Sequence, residues 1–270
     1  MTTLTTLTKH HGLGNDFLVM LDPPIQRDEL ARVARTVCDR RRGIGADGLL
    51  VAYEADGYDA RMILHNADSS RAEMSGNGIR CFAQALATQR GDISELRIMT
   101  DAGLRSVTLE QTDDANTVHA SVDMGSVNAI GEPTGWEQLQ CNPDRPVAHL
   151  SLGNPHSVVG VEDVTVVDLL NLGEMVPHVN LEIVEPGEQQ HEIRMRVHER
   201  GAGITEACGT GACAAAHAAA SWGLATPLDG KLVVQMDGGS ATVTLDHPSP
   251  GRVTLTGPAT YVATIEISIT

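Results

Sequence analysis

Glu73-Met74-Ser75-Gly76-Asn77-Gly78 returns 133 positions later as Glu206-Ala207-Cys208-Gly209-Thr210-Gly211, in a chain of 270 residues. A repeat at about half the chain length is the trace of a duplicated supersecondary unit. Each Gly-x-Gly leads into a nearly apolar run, Cys81-Phe82-Ala83-Gln84-Ala85-Leu86-Ala87 in the first copy and Ala212-Cys213-Ala214-Ala215-Ala216-His217-Ala218-Ala219-Ala220 in the second. Helices over 76–89 and 209–221 with such sequences are apolar all round, which suits a helix enclosed by sheet. A third helix is expected over about 28–39. Elsewhere period-two alternation dominates, as in His191 to Glu199, where Ile193, Met195 and Val197 alternate with Glu192, Arg194, Arg196 and His198. Similar short strands are expected at 49–54, 59–65, 95–100, 104–110, 117–124, 231–236, 241–246, 252–256 and 262–269. Gly, Asp and Pro turns between them favour antiparallel neighbours. The expected class is α/β (α+β): two similar, pseudo-symmetric domains, each a mixed, largely antiparallel sheet wrapped around a central helix. Val127 to Pro146, rich in Gly and Pro, has the composition of a linker, and the last strand is expected to return to the first domain.

Charge and composition exclude several functions. The formal net charge is −16, and no basic run is longer than Arg40-Arg41-Arg42. Such a surface repels phosphate, so neither a nucleic-acid nor a membrane partner is expected. No apolar run approaches the ~18 residues of a membrane span, and Met1-Thr2-Thr3-Leu4 lacks a signal-peptide plan. A cytoplasmic location is the expectation. Five cysteines without a C-x-x-C suggest neither a disulfide framework nor a zinc ribbon. The two lysines, Lys9 and Lys231, offer no convincing Schiff-base site, which argues against pyridoxal phosphate. Eleven histidines occur without H-E-x-x-H or H-x-x-E-H, so no metal is expected. Gly43-Ile44-Gly45-Ala46-Asp47-Gly48 matches G-x-G-x-x-G, but an expected helix precedes it and Leu49-Leu50-Val51 follows it, the reverse of a dinucleotide site. It is read as a turn.

The duplicated motif remains as the chemical signal. Ser75 and Cys208 each stand before a Gly-x-Gly that opens a helix, where unbonded N–H groups and the positive end of the dipole favour an anion. A thiol there is expected to have a lowered pKa. The plainer alternative is that both are N-caps, which suits Ser75 better than Cys208. Two helix ends facing each other across a domain cleft would hold one carboxylate between an acid and a base. Removing an α-proton from one face of an amino acid and returning one on the other needs that pair. A racemase or epimerase without a cofactor is therefore expected.

At this point the chain resembles the diaminopimelate epimerase family along nearly its whole length. The motifs are Gly12-Leu13-Gly14-Asn15-Asp16-Phe17, Gly43 to Gly48, Asn66 to Gly78, Gly153-Asn154-Pro155-His156 and Glu199 to Ala212. The resemblance implies interconversion of LL- and meso-diaminopimelate for lysine and peptidoglycan synthesis. The resemblance also implies two α/β domains, which the repeat, the linker and the returning last strand place at 1–126 plus 260–270 and at 127–259. Cys208 becomes the acid and base of one face, with Ser75 at the matching position. Gly76, Asn77, Gly209 and Thr210 hold the carboxylate at the reacting centre. Asn15, Asn66, Asn154, Asn180, Glu199 and Arg200 contact substrate, and His156 and Glu199 orient or polarise the facing groups. A guanidinium fork such as that of Arg200 suits a distal carboxylate. The amino-acid substrate is the expected partner, with a homodimer compatible.

One departure stands out, because the family has a cysteine where this chain has Ser75, and a hydroxyl is a far weaker acid than a thiol. Cys81 is no substitute, lying about 240° round the helix at ~100° per residue. Three readings stay open: an impaired epimerase, a Ser75 that acts through a neighbour such as His156, or related chemistry of the proline racemase and hydroxyproline epimerase or dehydratase type. A catalytically silent amino-acid binder is the alternative from another class. At Gly48, where some members carry a polar side chain, any substrate contact has to be main-chain.

Overall fold

The computed structural model describes residues 3–93 and 95–269; Met1 and Thr2, part of the stretch read for targeting, lie outside them. The chain divides into two compact units, one running up to Val122 and resuming at Gly257, the other Asp123–Thr256. The divisions fall inside two strands, Thr117–Ser126 and Arg252–Ile269.

The first unit opens with the hairpin β1 (Thr3–Gly12) and β2 (Asn15–Met20), in which Leu13 and Gly14 take positive φ to turn the chain. Helix α1 (Leu30–Cys38) leads to β3 (Gly48–Tyr53), parallel to β2, and β4 (Ala60–Asn66) returns antiparallel to β3. A short β5 (Arg71–Ala72) precedes helix α2 (Gly76–Arg90), after which β6 (Leu96–Thr100) runs parallel to β4. β7 (Gly103–Gln111) and β8 (Thr117–Ser126) continue antiparallel.

The second unit has the same plan. The two-residue β9 (Asn128–Ala129) pairs with β10 (Val147–Ser151), whose hairpin partner is β11 (Pro155–Gly160). After α3 (Leu169–Met175), β12 (Asn180–Pro186) lies parallel to β11, and β13 (Glu192–Glu199) antiparallel to β12. The three-residue β14 (Gly203–Thr205) precedes α4 (Gly209–Trp222). β15 (Lys231–Met236) is then parallel to β13, with β16 (Gly239–Leu245) and the start of β17 (Arg252–Ile269) antiparallel beyond it. Every pairing from β1 to β8 therefore has its counterpart from β10 to β17.

Burial explains the plan. α2 is buried from Gly76 to Ala87, and α4 from Gly209 to Ala216 and again at Ala218 and Ala219. The alanines of α4 let the surrounding strands close on it without large side chains, whereas α2 fills the same space with Ile79, Phe82 and Leu86. Both helices end alike, in a glycine of positive φ at Gly91 and Gly223 whose N–H returns to the last turn. The opposite sheet face is covered by a second core. In the first unit α1 supplies Leu30, Val33, Ala34 and Val37 to Leu18, Met20, Leu49 and Val51. In the second, Leu169 of α3 joins Trp136, Val176, Leu181 and Ile183. Covered on both sides, β3 is buried from Gly48 to Ala52, and its run Leu49-Leu50-Val51-Ala52 is continuously apolar.

The architecture agrees with the expected class, and several elements go beyond the strands and helices read from pattern. β1, β2, β10, β11, β12 and α3 have no clear alternation or length signal. β1 is Thr- and His-rich, β12 is buried along most of its length, and α3 is seven residues long. The stretches 252–256 and 262–269 are one strand, whose start pairs with β16 and whose later residues pair with β1.

Candidate active site

In each unit the first turn of the central helix lies against the second strand of a parallel pair, Gly78 of α2 by Leu50 of β3 and Gly211 of α4 by Glu182 of β12. In the second unit Cys208 is the N-cap of α4, in extended conformation, and its sulfur accepts the Gly211 N–H at 3.4 Å. The thiol is almost wholly buried, and the Thr210 hydroxyl lies 3.6 Å from it. From Thr210 Oγ1 the contacts continue to Asn154 Nδ2 at 3.2 Å, and from Asn154 Oδ1 to His156 Nε2 at 3.1 Å. His156 Nδ1 meets Glu182 Oε1 at 2.6 Å. His156 and Glu182 are both fully buried. Strand register brings these groups together: His156 opens the β11–β12 ladder opposite Asn180, and Glu182 lies two residues further along β12. The Asn180 carbonyl oxygen Oδ1 accepts the backbone N–H of Arg200 at 2.9 Å, tying down the turn after β13. Thr205 donates its hydroxyl to Glu199 Oε1 across the β13–β14 hairpin. The Arg200 side chain is exposed.

In the first unit Ser75 is the N-cap of α2, again extended, and its hydroxyl oxygen accepts the Gly78 N–H at 3.0 Å. Buried Asn77 donates from Nδ2 to Asn15 Oδ1 at 3.3 Å and accepts Arg80 Nη2 on Oδ1 at 2.8 Å. Asn15 in turn donates to Asp47 Oδ2 at 2.7 Å, and Asp47 is held by Arg40. Exposed Asn66 donates to the Ser70 hydroxyl at 3.0 Å. Gly48 pairs with Phe17 on one side and Asn66 on the other.

The structure thus brings Asn154, His156, Asn180, Glu199, Cys208, Gly209 and Thr210 into one neighbourhood in the second unit, with the Arg200 backbone tied to it. It brings Asn15, Ser75, Gly76 and Asn77 together in the first. Sequence reasoning passed over Glu182, Asp47 and Arg80. A signal existed for Glu182, a lone acid inside the apolar run Leu181-Glu182-Ile183-Val184. Both ring nitrogens of His156 are engaged within its own unit, by Glu182 and Asn154.

The thiol pKa differs from expectation. Burial, then the carboxylates of Glu199 and Glu182, push Cys208 well above the ordinary thiol value, against the pull of the Thr210 hydroxyl and the Gly211 N–H. Desolvation here outweighs the helix terminus. Cys81, inside α2, is fully buried and pushed up to about 12, chiefly by desolvation. Among the described residues no group of three or more His, Cys, Asp or Glu side chains is placed to hold a metal ion.

Comparison with known structures identifies the fold class first. The chain superposes on a Bacillus anthracis phenazine biosynthesis protein of the PhzF family with a TM-score of 0.77 at 16% identity, covering 99% of this chain and 100% of that one. It superposes on a hydroxyproline epimerase from Agrobacterium vitis with a TM-score of 0.70 at 17% identity, covering 98% and 93%. These likenesses establish a shared two-unit fold. The sequence narrows the assignment, since the family model for diaminopimelate epimerase matches residues 7–130 and 149–262. Curated diaminopimelate epimerases of Magnetococcus marinus and Synechococcus elongatus are each 38% identical, over 94% of this chain and 94% and 95% of their own lengths. The chain belongs to the diaminopimelate epimerase family of isomerases. No described helix is long and apolar enough to cross a membrane.

Proposed function

We propose that this protein epimerises LL-diaminopimelate to meso-diaminopimelate without a cofactor, by two-base α-proton transfer, in the cytoplasmic route to lysine and peptidoglycan precursors. The observation that carries the reading is the paired capping of Ser75 on α2 and Cys208 on α4, each with a Gly N–H on its oxygen or sulfur. Cys208 serves one face of the α-carbon and Ser75 the other. The first-turn amides of Gly76-Asn77 and Gly209-Thr210 receive the α-carboxylate, which helix N-termini favour. Arg200, with Asn15, Asn66, Asn154, Asn180 and Glu199, receives the distal amino-acid group. His156 and Glu199 orient or polarise the reacting groups.

The raised Cys208 pKa makes the neutral thiol its resting form, and a thiol is a proton donor. On the other face a serine hydroxyl is both a weak acid and a poor base at neutral pH, so turnover is impaired relative to a two-thiol enzyme. Incubation with LL-diaminopimelate in deuterated water tests this, following label at the α-carbon and stereochemistry together. Deuterium with inversion is the expected result. Label without inversion would assign a one-base exchange, no label would leave a binding protein, and activity on proline or hydroxyproline alone would assign the neighbouring chemistry.

A further inference from the structure

Glu182 interrupts an otherwise apolar stretch of β12, is fully buried, and leaves Oε2 without a hydrogen-bond partner among the described residues. Its other oxygen lies against the first turn of α4: a Cβ on Gly211 would stand 2.6 Å from Oε1. In the first unit the same place is taken by Leu50, whose Cδ2 would be 3.4 Å from a Cβ on Gly78. Phe17 likewise stands where the second unit has His156, since each opens the parallel ladder of its unit. An apolar pair therefore suffices for this packing. The half that carries the thiol has a carboxyl and an imidazole instead, although a buried carboxyl is costly unless fully paired and, among the described residues, Oε2 of Glu182 is not.

We propose that Glu182 is a positioning residue for Cys208, acting through His156, Asn154 and Thr210 to set which member of the Cys208–Thr210 contact holds the proton. The inference rests on the reading of Cys208 as the acid and base of one face. A side-chain amide donates at one end and accepts at the other, so what occupies one end dictates the other. With a proton on His156 Nε2, Asn154 accepts it on Oδ1 and donates from Nδ2 to Thr210. The Thr210 hydroxyl is then free to donate to sulfur, which favours thiolate. With Nε2 bare, the amide turns over and Thr210 donates to it, so Thr210 can only accept from the thiol. The first state keeps a proton shared between Nδ1 and the Glu182 carboxyl, and the second has Nδ1–H donating to a Glu182 carboxylate. The states hold equal numbers of protons, so the buried pair offsets the charge that Cys208 gains or loses. Burial pushes the Glu182 carboxyl up, against the pull of His156.

Of the strands packed on α4, β12 and β13 bring the carboxylates that act on the thiol, Glu182 and Glu199, and β11 brings His156. The test uses the free protein as well as turnover. Nitrogen-15 NMR of His156 is recorded at one pH before and after alkylation of Cys208 by iodoacetamide, the modification and, separately, its pH midpoint being read by mass spectrometry at that residue. An alkylated sulfur accepts a hydrogen bond but cannot donate one, so the expected result is a shift toward the Nε2–H form at unchanged pH. Unchanged His156 nitrogens after alkylation would overturn the proposal, and this holds even if variants fail to fold. In Glu182→Gln the alkylation midpoint is expected to move by about one pH unit. The move should shrink severalfold when Asn154→Ala is already present. Equal moves in both backgrounds would mean a through-space charge effect and overturn the chain. With diaminopimelate, Glu182→Gln should lower kcat about 10–100-fold, as loss of a histidine's outer partner does at metal sites, with KM within about twofold. An unchanged kcat would also overturn it. Absence of α-exchange in the unmodified protein would sink the functional reading alone, because the NMR and alkylation results require no substrate.

Discussion

Phe17 holds in the first unit the place that His156 holds in the second: the one stands opposite Gly48 and the other opposite Asn180, at the start of matching parallel ladders. The two halves of a duplicated fold have thus diverged where their chemistry would lie. Ser75 has an aromatic and an aliphatic residue, Phe17 and Leu50, at the positions where the second half has an imidazole and a carboxyl. The second half also keeps the thiol.

On the proposed mechanism, that asymmetry makes Cys208 the group on which proton transfer depends. Cys208→Ala should abolish deuterium incorporation at the α-carbon while leaving ligand binding measurable by calorimetry. The capping contact it removes is a sulfur one at 3.4 Å, so the stability loss should stay near the ~1 kcal/mol of a lost cap. Full retention of exchange in this variant would remove Cys208 from the mechanism.

Arg200 is anchored through its backbone N–H to Asn180, while its guanidinium is exposed and available to a ligand. Arg200→Lys keeps the charge and the backbone bond but loses the planar fork that matches a carboxylate. A steep rise in KM with little change in kcat is expected from steady-state kinetics. An unchanged KM would place the side chain outside the substrate site.

How legible this was in the chain depends on what each residue is asked to do. The helices α2 and α4 were readable because a Gly-x-Gly start and an apolar all-round body coincide in both copies. Ser75 and Cys208 stood out through the same duplication. β12 was not readable, since a strand buried along most of its length shows no alternation, and Glu182 was passed over within it. The thiol pKa was misjudged because the helix terminus is a sequence feature, whereas the burial of Cys208 and the approach of Glu182 and Glu199 arise only when β12 and β13 pack against α4. The network from Asn77 through Asn15 to Asp47 joins parts of the chain that no local spacing connects.

His10 sets an acid limit on stability. It is buried between Gln84 and Thr8, and desolvation, against the Gln84 hydrogen bond, lowers its pKa from 6.5 to about 4. The unfolded chain takes up that proton near pH 6.5 and the folded one only near 4, so the stabilisation is present above 6.5 and is lost as the pH falls to about 4. The interval corresponds to about 3 kcal/mol. Urea denaturation at several pH values should show a steeper decline over this window than in His10→Asn, which cannot titrate. Parallel declines would mean that other groups control the acid limb.

Ser75 offers the most direct test of the functional reading. Its hydroxyl oxygen accepts the Gly78 N–H at 3.0 Å, so the side chain already occupies the position from which Cys208 makes the matching contact in its own unit. Ser75→Cys needs no new backbone conformation, and the stability change should not exceed ~1 kcal/mol. The substitution replaces a weak acid with one whose ordinary pKa is near 8.5, supplying a competent donor or base to the second face. Restoring one positioned acid or base should raise kcat by roughly 10²–10⁴-fold. KM should barely move, because the groups assigned to binding, Asn77 and Arg200 among them, are untouched. Steady-state rates of the two proteins with LL-diaminopimelate, together with deuterium exchange measured separately from each stereoisomer, decide the matter. A serine enzyme already as fast as its cysteine variant would require another proton donor on that face, and His156→Asn would then be the next variant to measure.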